Sequence, residues 1–275
     1  KIHTRHPISL VSAQDPFESG LIAHHFSSRF SIPFEIQLHG DFYSSNYWRK
    51  KSFLWAMRLR YGVRVLRKAN HIRVVSERIK KSLRGLGISS EKISIIPVST
   101  ALRHPEASLD ASRRDPSRLL SSRATTRDPF QLGINIPERF TDKFVILVVA
   151  RLTHEKHVDL VARTLSYISG YVPNVVCVVL GDGREHDEIA AVAKSLGEAQ
   201  RIFFEGHIED TSPYYERADV VVIPSWTEGY GRTAIEAMAY GKPVVMTDVG
   251  LAGEIVRNEY NGLIVPIDDD GALAE

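Results

Sequence analysis

The sequence predicts an α/β fold made of two Rossmann-like, doubly wound parallel-sheet halves. Three observations carry that prediction. Short β-branched runs recur along the chain, helical stretches separate them, and many of the runs are continuously apolar rather than alternating. Strands covered by helices on both faces need that continuous pattern. The first half offers "ISLVS" from Ile8, "FEIQL" from Phe34, "IRVVS" from Ile72 and "ISII" from Ile93. The second offers "FVILVVA" from Phe144, "VVCVVL" from Val175, "IFFEG", "DVVVIP", "PVVMTD" and "GLIVP". Between them, a stretch rich in Ser, Arg, Asp and Pro has no sustained period and is too long for an ordinary loop. We therefore divide the chain into a first half at 1–100, a linker or flexible insertion at 101–140, and a second half at 141–275. Ligands of such sheets bind outside the carboxyl ends of the strands, which points to a cleft between the halves.

Composition narrows the class. The formal net charge of +2 makes no demand for nucleic acid. The single cysteine, Cys177, lies inside "VVCVVL" and reads as a small core residue; with no disulfide within the chain, the expected setting is a reducing cytoplasm. No apolar run approaches the roughly 18–20 residues that span a bilayer. The sequence starts at Lys1 without the pattern of a signal peptide and reads as though it begins mid-protein.

The most informative stretch is "PSWTEGYGRTAIEAMAYGKPVV", Pro224 to Val245. Gly229 and Gly231 break any helix before Arg232, which leaves Glu228 on a loop after the strand "DVVVIP". From Arg232 the residues are good helix formers, and Gly241 with Pro243 closes the helix. Glu236 falls inside this helix, which looks buried. Carboxylates are seldom fully buried without a partner, so either the helix is less buried than it looks or the acids have a ligand. A helix N-terminus offers free N–H groups and partial positive charge to a phosphate, and glycines allow close approach. Carboxylates accept pairs of hydroxyl donors. One ligand with hydroxyls at both ends and phosphates between them, as in a nucleotide sugar, would satisfy both acids.

"EGYGRTAIEAMAYGKPVV" resembles the Glu-x7-Glu signature of retaining glycosyltransferases of the two-domain GT-B type, family 4. The resemblance implies transfer of a sugar from a nucleotide-sugar donor, UDP- or GDP-linked, to a hydroxyl acceptor, with no further cofactor. It puts the donor sugar's hydroxyls on Glu228 and the ribose on Glu236. The backbone of Gly229, Tyr230, Gly231, Arg232 and Thr233 would face sugar and phosphate. "VVARLTHEKHVDL" is similar to the family's Arg-x4-Lys pair: Arg151 and Lys156 would hold the diphosphate and support its departure. Gly181 in "LGDGREHDE" fits a strand-to-helix turn lining the nucleotide pocket, although His186 spoils a dinucleotide fingerprint. His207 and Ile208 in "FFEGHIED" match the loop that reads the base. His39 in "IQLHGDFY" stands where the family often has a histidine near the donor sugar. "SAQDPFESG" resembles an acceptor-side loop, with Asp15 or Glu18 near the cleft, and "VVSER" a polar border of the donor site.

Other chemistries find less support. "HEKH" lacks the spacing of a zinc helix and no strand-end Asp-x-Asp occurs, so no catalytic metal is expected. The basic segment "NYWRKKSFLWAMRLRYGVRVLRKANHIR" has Leu54, Met57, Tyr61 and Val65 on one helical stripe. It reads as a core stripe with a solvated face, while a peripheral membrane contact serving a lipid-linked acceptor stays open. The resemblance also implies a strand and glycine-rich loop before Lys1 and a helical segment after Glu275. The first half is therefore expected to be incomplete, and "IIPVST" departs from the family's usual junction. A non-catalytic nucleotide-sugar binding module, an inactive remnant, and a GT-B-type epimerase or phosphorylase remain as rivals.

Overall fold

The computed structural model describes residues 8–98 and 140–275. The expected linker at 101–140 lies outside the described residues except for Phe140. In the first half, β1 (Val11–Ala13), α1 (Glu18–Phe30) and β2 (Phe34–Leu38) lead into the short α2 (Tyr47–Lys51) and the longer α3 (Phe53–Lys68). Then follow β3 (His71–Val74), α4 (Glu77–Gly85) and β4 (Ile93–Ile95). The four strands pair in parallel in chain order. Serine hydroxyls start two of the helices: Ser52 accepts the Trp55 N–H at the head of α3, and Ser76 accepts the Ile79 N–H at the head of α4.

The second half contains β5 (Phe144–Val149), α5 (Asp159–Ile168), β6 (Val175–Leu180), α6 (His186–Ser195) and β7 (Ile202–Gly206). It continues with α7 (Ser212–Arg217), β8 (Val220–Ile223), α8 (Arg232–Ala239), β9 (Val244–Thr247), β10 (Leu263–Val265) and α9 (Asp270–Ala274). Its parallel sheet runs β7-β6-β5-β8-β9-β10. This is the dinucleotide-binding strand order, with the direction of winding reversed between β5 and β8. The continuous apolar runs have the reason predicted for them. Val145 and Leu147 of β5 face one core while Ile146 and Val148 face another, and Val176 and Val178 of β6 likewise oppose Val175 and Cys177. Burial pushes the Cys177 thiol up to about 12.

Several predicted boundaries shift. The first strand starts at Val11 rather than Ile8, because Ile8 and Leu10 lie at the surface. The third ends at Val74, since Ser76 leaves the sheet to cap α4. Ala150, Asp219, Pro224, Pro243 and Asp248 fall just outside their strands, as do Gly262 and Pro266, whereas β6 and β7 coincide with the runs read from sequence. The larger correction concerns α3. Its buried face is Leu59, Gly62, Val65 and Leu66, while Leu54, Met57 and Tyr61 are exposed, so only Val65 of the expected stripe belongs to the core.

Candidate active site

The loops after β5 and β8, on either side of the reversal point, carry the predicted acids and bases. After β5 the chain passes Arg151 and makes a 3-10 turn, His154–Lys156. After β8 it passes Ser225 and Trp226 to Glu228. The two loops are joined by the Trp226 N–H, which donates to the Glu155 carbonyl at 2.9 Å. Across that junction Lys156 Nζ donates to Glu228 Oε1 at 2.5 Å, and the Ser225 hydroxyl donates to the same oxygen at 2.9 Å. The pair is mostly buried, with side-chain exposures of 18% and 12%. Such a pair holds each partner in one geometry, and losing one member strands the other charge. Arg151 is different: its side chain is 76% exposed and reaches no closer than 4.0 Å to Glu155.

The glycine turn then sets up α8. A Cβ on Gly229 would stand 1.7 Å from the His39 carbonyl oxygen, so only glycine permits this approach of the two halves. His39 itself lies at the carboxyl end of β2 with an exposed side chain. Gly231 takes a left-handed conformation at the head of α8 (φ 88°), with no side chain capping the first turn. The N–H groups there are open to an anion, beside positive macrodipole charge. The Thr233 hydroxyl fastens this helix to the end of β5 by donating to the Val149 carbonyl at 3.1 Å. At the other end, Gly241 and Lys242 donate to the carbonyls of Met238 and Ala237, as the sequence pattern requires.

Glu236 resolves the question its helix posed. Ala234 and Ala237 carry the fully buried face, while Glu236 is intermediate, with its side chain 22% exposed. The Tyr215 hydroxyl donates to it at 2.9 Å and Arg232 at 3.2 Å. Burial first, and then the charge of Glu236, push the Tyr215 phenol up. Both carboxylates therefore have protein partners, and α8 is less buried than it looked.

Other predicted residues separate from this group. The Tyr230 side chain packs into the core of the first half, together with Leu251. Gly181 lies against the Ala150 carbonyl beside Arg151. His207 is exposed, and Ile208 packs beneath the second sheet. Asp15 accepts the Phe17 N–H ahead of α1, and Glu18 pairs with Arg58 of α3, so both are engaged within the first half. "VVSER" binds the halves together: Arg78 donates to the Asp248 carboxylate and the Ala252 carbonyl, and Glu254 accepts the Glu77 N–H. The described residues contain no group of three or more His, Cys, Asp or Glu able to hold a metal ion.

Sequence reasoning missed the residues that support the site. Thr227 crosses the cleft to donate to the Asp41 carbonyl at 3.1 Å, and Tyr47 meets His154 Nδ1 at 2.9 Å. His157, next to Lys156, adopts a left-handed conformation (φ 51°) and is buried. Its two nitrogens bond Asp159 at 3.0 Å and Asp268 at 2.9 Å, and its ring packs 4.7 Å from Trp226. Burial opposes ionisation of Asp159, but bonds from His157 and Arg163 hold its carboxyl down at about 2. A cavity of about 270 Å³ adjoins this cluster, lined by His154, His157, Glu185, Trp226 and Asp268 among others; Lys156 and Glu228 are not among its walls. The only signal for His157 in sequence was its place in "HEKH", which was weighed for metal spacing alone.

Two parallel-sheet halves meeting over the reversal point of the second sheet constitute the GT-B architecture. The chain belongs to the glycosyl transferases group 1, whose family model matches residues 133–275, while the model for Glycosyltransferase Family 4 matches residues 1–99. It is similar to an uncharacterised glycosyltransferase of Methanocaldococcus jannaschii, 32% identical over 188 residues, covering 64% of this chain and 47% of that protein. It is also similar to a D-inositol 3-phosphate glycosyltransferase of Mycobacteroides abscessus, 28% identical over 240 residues, covering 81% of this chain and 54% of that one. The chain thus spans about half the length of these curated relatives. A crystal structure of Anabaena HepE in complex with UDP-glucose shares the fold at TM-score 0.75 and 22% identity, covering 99% of this chain and 69% of the other.

Proposed function

We propose that this chain carries the donor site of a retaining glycosyltransferase that uses a UDP- or GDP-linked sugar and no metal. The observation that carries the reading is the Lys156–Glu228 pair at the reversal point, beside the uncapped head of α8. A diphosphate entering there meets the N–H groups of Gly231 to Thr233, the exposed guanidinium of Arg151 and the ammonium of Lys156. Glu228 then orients hydroxyls of the donor sugar, with His39 nearby on the opposite wall, and Glu236 takes the ribose. As the bond from the anomeric carbon to the diphosphate breaks, Arg151 and Lys156 stabilise the charge left on the leaving oxygen. The acceptor hydroxyl bonds to the anomeric carbon on the face the diphosphate leaves, and its proton passes to a diphosphate oxygen. The glycosyltransferase names of the relatives and the UDP-glucose bound by HepE support this reading.

The test uses the release of nucleoside diphosphate from UDP- and GDP-sugars, with water or added hydroxyl compounds as acceptors. Glu228→Gln and Lys156→Ala should each lower release by about 100-fold or more while leaving the thermal melt cooperative. Near-normal release in either variant would sink the assignment. Donor binding without any release by the unaltered chain would favour the non-catalytic binding module.

A further inference from the structure

Two residues in the left-handed conformation, from distant parts of the chain, meet beside the proposed donor site. Among the described residues, four that are not glycine have positive φ: Ser31, His157, Glu259 and Asp268. His157 (φ 51°) and Asp268 (φ 61°), 111 positions apart, are bonded to each other at 2.9 Å. Glycine takes this conformation at the least cost, and His and Asp are tolerated there. The turns alone therefore call for neither side chain, whereas the bond between them calls for both.

The donor set gives this bond a charge. Nε2 of His157 faces Asp268, and Nδ1 faces Asp159 at 3.0 Å. A neutral imidazole donates from one nitrogen only and would turn a lone pair toward the other carboxylate, whereas the protonated ring donates at both. The surroundings favour the protonated form. Asp159 and Arg163 of α5, Asp268 ahead of α9, His154 of the 3-10 turn, and Glu185 and Glu188 at the head of α6 surround the adjoining cavity, four carboxylates against one guanidinium. Arg163 is itself bonded to Asp159 at 2.5 Å. The His157 ring is buried and lies 4.7 Å from the ring of Trp226, an indole that attracts cations.

Lys156 directly precedes His157, and its backbone N–H is fixed by the Thr153 carbonyl at 2.8 Å. On the other loop, Trp226 holds the Glu155 carbonyl and stands two residues before Glu228. His157 thus touches both loops that deliver the Lys156–Glu228 pair, and through Asp268 it ties them to the segment leading into α9, which packs on α5. We infer that His157 is a positioning residue: as an imidazolium clamped between Asp159 and Asp268, it holds the Lys156 turn in the geometry that receives a diphosphate, a role that rests on the donor-site reading of Lys156. Donor binding is then strongest with the ring protonated. Loss of the proton leaves one carboxylate facing a lone pair, and the clamp opens on that side.

The test is calorimetric titration of the chain with UDP and GDP, without metal, between about pH 7 and pH 9, repeated on His157→Asn and His157→Gly. Asn and Gly both accept the left-handed backbone, so each keeps the turn and removes the charge. Each variant should keep a cooperative melt, bind about fivefold or more weakly at the lower pH, and show a flatter pH dependence than the unaltered chain. Lys156→Ala should cost less binding in the His157→Asn background than in the unaltered chain, since the lysine is already displaced. A residue that only shaped the turn would change neither the pH dependence nor the cost of Lys156→Ala. Binding by both variants equal to that of the unaltered chain, with Lys156→Ala still weakening it, would overturn the inference and leave the donor site standing. No binding by the folded, unaltered chain would overturn both.

Discussion

The two halves use the same parallel-sheet plan and treat their surfaces in opposite ways. In the second half, β5 and β6 are buried on both faces, and the surface is acidic. In the first half, the helix that covers the sheet buries Leu59, Val65 and Leu66 but leaves Phe53 and Leu54 outside, among lysines and arginines. Covering a parallel sheet requires an apolar inner face on each helix and places no demand on the outer one. The outer face of α3 is therefore free of the fold's requirements, whereas the loops after β5 and β8 are tied by Lys156–Glu228 and by Trp226 to Glu155.

Substitutions can sharpen that contrast. Leu147→Ala, at a fully buried position of β5, should cost about 2–5 kcal/mol in a denaturant melt. Arg78→Ala should follow: it removes the bonds to Asp248 and Ala252 that hold the halves together. The expected loss is about 1–2 kcal/mol, with faster proteolysis between the halves. Acid titration comes next. The fold favours ionised Asp159, so its contribution is complete above the unfolded value of 3.8 and fades as pH falls toward about 2. Melts of the unaltered chain and Asp159→Asn should therefore differ at pH 6 by on the order of 1–2 kcal/mol after solvent screening, and converge only as pH falls to about 2 or below. Smallest of all, Leu54→Ala should stay within about 0.5 kcal/mol. A cost for Leu54→Ala comparable to that of Leu147→Ala would erase the distinction between the faces.

Sequence patterning revealed the second half well because its strands are short, apolar and buried on both sides, so each run is almost the strand. In the first half, Ile8 and Leu10 mimicked a strand at the surface, and Leu54, Met57 and Tyr61 mimicked a core stripe. Periodicity reports that residues share a face, but not whether anything covers it. The site was legible through the strand–glycine–helix order and through resemblance. Its closing contacts were not: Lys156 and Glu228 lie 72 residues apart and Tyr215 and Glu236 21 apart, and only the folded topology brings each pair together.

The Lys156–Glu228 junction and the head of α8 are proposed to form a nucleoside diphosphate site. Calorimetric titration with UDP and GDP, without metal, tests it most directly, repeated on Lys156→Ala and Glu236→Ala. Saturable binding of one nucleotide is expected, weakened about tenfold or more by Lys156→Ala and to a lesser degree by Glu236→Ala. No binding of either nucleotide to the folded chain, or equal binding by all three proteins, would contradict it.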